Sequence, residues 1–174
     1  ERFSAVKHMV RRDFIVAGAL ALWGAAPALA PSGGKKPTRA PVIPVVGDSR
    51  SAEYGPPRGT GWVALLDKRL AQEKIPATVV NASVSGDTTA GGRARLAALL
   101  QQHRPTHVVI ELGGNDALRG LPLASTQGNL AWMTEQAQAA GARVLLVGVQ
   151  VPPNYGANYT RQFAEVFENV AQER

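Results

Sequence analysis

His107-Val-Val-Ile-Glu-Leu-Gly-Gly-Asn-Asp116 runs an almost unbroken apolar stretch straight into a glycine-rich polar segment. The run from His107 to Leu112 fits a strand buried on both faces, and the glycines mark where the chain leaves the sheet. The same join recurs on either side. Val42-Ile-Pro-Val-Val46 leads into Gly47-Asp-Ser-Arg50, Thr78-Val-Val-Asn81 into Ser83-Val-Ser-Gly86, and Val144-Leu-Leu-Val-Gly-Val149 into Val151-Pro-Pro-Asn-Tyr155. Helical patterns separate these runs. Trp62, Leu65, Leu66 and Leu70 form one apolar stripe, and Leu96, Leu99 and Leu100 another that ends near Arg104 before Pro105. Leu130, Met133 and Ala137 mark a third, stopped by Gly141, and Tyr159, Phe163, Val166, Phe167 and Val170 a fourth. The order β-α-β-α-β-α-β-α predicts an α/β sandwich of three layers, with a parallel sheet covered on both faces. Pro44 has no N–H to give to a ladder, so the first strand is expected at a sheet edge or locally loosened.

In such sheets ligands bind beyond the carboxyl ends of the strands, which is where all four polar segments fall. Ser49 lies two residues past a strand, where a tight turn can present its hydroxyl. Gly86 can offer a backbone N–H with no side chain in the way, and Asn115 can aim an amide at the same point. Three donors around one hydroxyl make an oxyanion hole for acyl transfer.

Composition narrows the classes. The chain has 174 residues, enough for one domain with a short extra segment, and a 45% apolar fraction that suits a packed core. It has no cysteine, which excludes disulfides, cysteine-ligated metal and a cysteine nucleophile. The net charge of +6 is concentrated early in the chain. Once Arg2, Lys7, Arg11, Arg12 and the linker-like Lys35, Lys36 and Arg39 are set aside, the body is close to neutral. A nucleic-acid partner calls for a basic stripe with interleaved aromatics, and the sequence shows none. Nor does it contain G-x-G-x-x-G or G-x-x-x-x-G-K-[ST], which argues against a nucleotide-binding relative of similar topology.

Residues 1–30 read as an address. Met9-Val-Arg-Arg-Asp-Phe gives a basic start, Phe14 to Ala26 an apolar run, and Ala28-Leu-Ala30 a cleavage-type ending. Arg11-Arg12 resembles a twin-arginine signal and leaves that route and the general secretory one both open. The mature protein is therefore expected to begin near Pro31 and to work in the periplasm or outside the cell. Residues 31–41 are a Gly/Pro linker, and the domain proper is expected over 42–174.

Three blocks together resemble the GDSL/SGNH hydrolase family. They are Gly47-Asp-Ser-Arg-Ser-Ala-Glu-Tyr-Gly55, Val84-Ser-Gly-Asp-Thr-Thr-Ala-Gly-Gly92 and Glu111-Leu-Gly-Gly-Asn-Asp116. The loop from Val149 to Gly156 is similar to that of its secreted thioesterase/lysophospholipase/arylesterase subgroup. The resemblance implies a flavodoxin-like fold and a serine hydrolase of esters or thioesters that needs no cofactor. Ser49 would be the nucleophile, Gly86 and Asn115 the oxyanion donors, and Asp48 a brace for the turn. Arg50, Asn154 and Tyr155 would be candidates to line the substrate loop. The implied partner is a small acyl ester or thioester, met by a monomer with at most transient lipid contact.

The family's Asp-x-x-His is missing from the chain. His8 lies in or before the signal, His103 ends a helix, and His107 begins a strand whose far end approaches the site. The family continues with a strand, a loop carrying Asp and His, and a closing helix, about 40 residues by ordinary element lengths. The chain is accordingly read as incomplete, lacking that last strand and helix. As it stands it is expected to be a weak or inactive esterase, or else an acyl-binding relative without a base. Phe163, Val166 and Phe167 are expected to lie exposed for want of a covering strand and to promote aggregation.

Other residues carry milder expectations. Arg50 stands where the family has Leu and is expected to reach solvent or pair with an acid such as Glu53. Trp62 and Trp132 are expected in the core, and Glu111 is expected to bond nearby backbone. Asp87 and Asp116 flank the expected oxyanion residues and raise a magnesium-dependent, phosphatase-like site as a competing idea, one that accounts less well for the placement of the serine and the amide.

Overall fold

The computed structural model describes residues 40–174 except 56. The expected signal segment and nearly all of the linker lie outside the described residues. Residues 37–174 cluster as one unit, built from strands β1 (Val42–Gly47), β2 (Thr78–Asn81), β3 (His107–Glu111) and β4 (Arg143–Leu146). Between and after them lie helices α1 (Trp62–Gln72), α2 (Thr89–His103), α3 (Gly114–Leu118), α4 (Leu123–Ala139) and α5 (Ala157–Glu173). All strand pairs are parallel, in the order β2-β1-β3-β4. The chain steps outward one way from β1 to β2 and the other way from β3 to β4. The crevice between β1 and β3 is therefore the point where strand order reverses, the place a doubly wound sheet offers a ligand.

β1 is central, so the expectation of an edge strand for Pro44 is corrected. Pro44 pairs in register with Val80 on β2, while the β1–β3 register begins only at Val45, one residue later. The Thr106 carbonyl at the start of β3 accepts from Arg143 N–H on β4. Thr106 N–H already donates to Val42 O at 3.1 Å, so the missing proline donor leaves a one-bond gap in the β1–β3 side, and the Thr106 carbonyl is satisfied from β4 instead.

The two faces of the sheet are unequally covered. On one side α2, α4 and α5 pack Leu96, Leu130, Met133, Ala137, Phe163, Phe167 and Val170 against Val46, Val108 and Ile110. On the other, only Val45, Val63 and Val109 form a small buried cluster under α1. Leu65 and Leu145 are more than half exposed, and an open cavity of about 360 Å³ runs along Ile43, Leu66, Val109 and Leu145. The expected three layers are present, with the second face covered by α1 only in part. The expected exposure of Phe163, Val166 and Phe167 is also corrected, since all three are buried among α4 and the sheet. The aromatic face of α5 points inward as a stack, Tyr155 on Tyr159, Tyr159 on Phe163, and Phe163 edge-on to Phe167. Among the described residues, no helix is long and apolar enough to cross a membrane.

Two element boundaries differ from the sequence reading. β4 stops at Leu146 because its partner β3 ends at Glu111, leaving one further bond from Val147 N–H to Ile110 O. The Gly-Gly-Asn-Asp segment is the short helix α3, entered through Gly113 at φ 116°, a conformation that favours glycine.

Candidate active site

The turn after β1 is built by Asp48. Its carbonyl accepts the N–H groups of Ser51 and Ala52, and its Oδ1 accepts Arg50 N–H at 3.0 Å, so the chain reverses immediately around a half-buried Ser49. The turn is fastened from below by Ser51, which is buried. Ser51 Oγ donates to Glu111 Oε2 at 2.7 Å and accepts from Trp62 Nε1 at 3.0 Å, while Asn81 Nδ2 donates to the Ser51 carbonyl. β2, β3 and α1 therefore all hold the loop that presents Ser49. Gly47 has to be glycine here, because a Cβ would lie 2.6 Å from Ser51 Oγ and 2.7 Å from Ser51 Cβ.

The loop after β2 turns through Val84–Asp87, closed by Asp87 N–H to Val84 O, with Gly86 at φ 78° in the third position that demands positive φ. Val84 N–H donates to Gly47 O, tying this loop to the Ser49 turn. Arg119 Nη2 donates to Gly86 O at 2.8 Å. Asp87 Oδ1 accepts Thr88 N–H, and Thr88 Oγ1 caps α2 by accepting Gly91 N–H.

Asn115, in the first turn of α3, joins all three loops. Its Nδ2 donates to Asp87 O at 2.9 Å and to Asp48 Oδ2 at 3.2 Å. Asp116 beside it is buried and receives Thr89 N–H and Thr89 Oγ1 at the start of α2. Asp116 thus locks α3 to α2 and leaves Asn115 on the open side. The carboxylates of Asp87 and Asp116 are engaged with these protein donors and with Arg95. No group of three or more His, Cys, Asp or Glu poised for a metal occurs among the described residues.

Arg50 pairs with Glu111, not Glu53. Its Nε stands 3.9 Å from Glu111 Oε1, and Nη2 occupies the space a Cβ on Gly114 would need. Glu53 instead accepts Gly59 and Gly61 N–H, closing its own loop. Burial pushes the Glu111 carboxyl above its ordinary value, with Asp48 adding to the rise and Ser51 and Arg50 opposing it. Trp62 departs from the core role expected of it. It is 36% exposed, and with Arg50, Glu111 and Val147 it lines an open cavity of about 360 Å³ next to the turn. Trp132 packs half-buried on the main core with the Arg93 guanidinium over its ring. Asn154 and Tyr155 form a single 3-10 turn at Pro153–Tyr155. Tyr155 packs against the core through Tyr159, and Asn154 is exposed.

Among the described residues, both histidines stand apart from this cluster. His107 is four residues below Glu111, the register partner of Gly47, which is about 13 Å along the strand. His103 ends α2, whose first residue Thr89 is the one at the site; 14 residues of helix are about 21 Å. Neither reaches Ser49 by a hydrogen bond.

The profile of the GDSL-like lipase/acylhydrolase family matches residues 45–174. The chain belongs to that family. It is 58% identical over 132 residues to the esterase TesA of Pseudomonas aeruginosa, covering 76% of this chain and 66% of that protein. It is 42% identical over 134 residues to thioesterase 1/protease 1/lysophospholipase L1 of Escherichia coli, covering 77% of this chain and 63% of the relative. The chain thus spans less than two thirds of the length of these curated relatives. A crystal structure of TesA superposes with a TM-score of 0.75 at 57% identity, covering 76% of this chain and 73% of the other. This family member shares with that structure the α/β fold in which its three loops converge. Sequence reasoning singled out Ser49, Gly86 and Asn115 from their glycine-rich loops, and the structure joins those loops through Asn115. It missed Ser51, Trp62, Arg95 and Arg119, which lie in ordinary-looking helix or turn sequence and acquire partners only when distant strands meet.

Proposed function

We propose that the protein hydrolyses carboxylic esters or thioesters through an acyl-enzyme on Ser49. The convergence of Ser49, the Gly86 turn and the Asn115 amide at the β1/β3 crevice carries this reading, with Asn115 bonded to both neighbouring loops. The esterase and thioesterase names of the relatives support hydrolysis over ligand binding alone. Ser49 Oγ attacks the acyl carbonyl, and the developing oxyanion is met by the N–H groups of Ser49 and Gly86 and by Asn115 Nδ2. Asn115 gives the oxyanion the hydrogen now directed at Asp48 Oδ2, the longer of its two bonds, and keeps the one to Asp87 O. Asp48 braces the turn. Arg50 and Trp62 face the acyl or leaving group across the adjacent cavity.

Among residues 40–174, neither His103 nor His107 stands within hydrogen-bond reach of Ser49 to take its proton. Exogenous imidazole supplies a base in solution. Hydrolysis of p-nitrophenyl butyrate should therefore rise with imidazole well above the imidazole-only background, and Ser49→Ala should return it to that background. Equal rates in the two proteins would refute the assignment.

We further propose export of the protein to the periplasm or beyond, on the strength of the basic, apolar and Ala28-Leu-Ala30 order of residues 9–30. N-terminal sequencing of protein recovered from the periplasm should begin near Pro31; retention of residues 1–30 would contradict it. The exported protein is a monomer, checked by sedimentation.

A further inference from the structure

We propose that Arg95 is a positioning residue for ester cleavage, a clamp that sets the oxyanion donors Gly86 and Asn115 through Asp87. The inference rests on the reading of those two residues as oxyanion donors. Arg95 lies on α2, away from Ser49, with its side chain only 24% exposed. Its three nitrogens go to three different segments. Nε donates to Asp87 Oδ2 at 2.8 Å in the loop after β2, Nη1 donates to Ala82 O at the exit of β2, and Nη2 donates to Gly47 O at the end of β1. One planar guanidinium thus fixes the spacing of the two loops that carry Ser49 and Gly86.

Asp87 passes that constraint on. One carboxylate oxygen receives Arg95 and the other Thr88 N–H, while its carbonyl receives Asn115 Nδ2. Its N–H closes the turn that holds Gly86. The arrangement also explains Gly91, where a Cβ would stand 1.8 Å from Asp87 Oδ1. The Asp87 side chain is 12% exposed, so without Arg95 the carboxylate is left largely buried and unpaired and rotates toward solvent. With the Arg95 bonds to the Ala82 and Gly47 carbonyls lost at the same time, the backbone of the two loops is free to shift, and the Asp87 carbonyl and the Gly86 turn shift with it.

A purely structural role would lower stability and leave the chemistry of the folded fraction intact. A clamp on the oxyanion donors acts in the transition state. The test compares wild type, Arg95→Met and Arg95→Lys in the full chain, reading the ¹H–¹⁵N signals of the Gly86 backbone amide and the Asn115 side-chain amide. Imidazole-supported hydrolysis of p-nitrophenyl butyrate is measured alongside. In Arg95→Met both signals should shift, and kcat should fall about tenfold or more at little-changed KM, in line with the loss of an oxyanion donor. Arg95→Lys keeps one contact to Asp87, loses the fork to the two carbonyls, and should fall between the other two. If Arg95→Met does not fold, the lysine variant decides. Unmoved amide signals in a folded variant, or moved signals with unchanged kcat, would overturn the clamp. A wild-type chain without Ser49-dependent turnover would defeat the hydrolase reading instead, and the amide signals would still report on the clamp.

Discussion

Glu111 and Gly47 show how single positions hold the turn that presents Ser49. Glu111 is a buried carboxyl whose protonated form the fold favours, because lost hydration outweighs the Ser51 hydrogen bond and the distant Arg50 charge. An acid whose proton is held more tightly in the folded state stabilises the fold below its unfolded value, near 4.5. That contribution is lost as pH rises through the raised folded value. The stability difference between Glu111→Gln and wild type should therefore shift in favour of glutamine as pH climbs upward from about 4.5. Urea denaturation of both proteins across that range checks it, and a difference flat with pH would contradict the burial argument. At Gly47 the obstacle is steric, with Ser51 Cβ too close to accept a methyl group. Gly47→Ala should cost about 1–3 kcal/mol by urea denaturation, the usual cost of overpacking, because the buried Ser51 cannot retreat without leaving Glu111. The sequence revealed the glycine and the serine but not the pairing. Glu111 lies 60 residues from Ser51, and only the β1–β3 register, Gly47 against Glu111, makes them neighbours.

At the level of elements, burial separates α5 from β4. The apolar spacing of Tyr159, Phe163, Val166, Phe167 and Val170 was readable as a helix, and the structure turns that stripe onto the core. Phe163→Ala should cost about 3–5 kcal/mol. Leu145→Ala, at a side chain 60% exposed, should stay within about 0.5 kcal/mol. Similar losses at the two sites would mean that the α1 face is covered after all. Strand and helix order were legible because period and punctuation agree along most of the chain. Three features were not. Pro44 is a propensity exception, tolerated because the Thr106 carbonyl accepts from Arg143 N–H on β4. α3 is too short to show a period. The bareness of the α1 face depends on what packs there, which no local pattern encodes. The same holds for Trp62, whose helical spacing suggested a core position while its indole N–H was bonded to Ser51.

Across the whole molecule, strand order does the functional work. Parallel strands deliver Ser49, Gly86 and Asn115 to one edge, and the reversal between β1 and β3 opens the crevice there. Helices α2 and α3 then brace it through Arg95, Asp116 and Thr89. His107, at the amino end of β3, and His103, at the far end of α2, are kept from the site by the same parallel topology. The central claim is that Ser49 accepts the acyl group. It is tested most directly by peptide mass spectrometry of the chain after exposure to p-nitrophenyl acetate and imidazole. The account predicts that acid quenching during turnover traps an acetyl group on Ser49 that is absent in Ser49→Ala. Acetylation confined to lysines, or unchanged by Ser49→Ala, would contradict it.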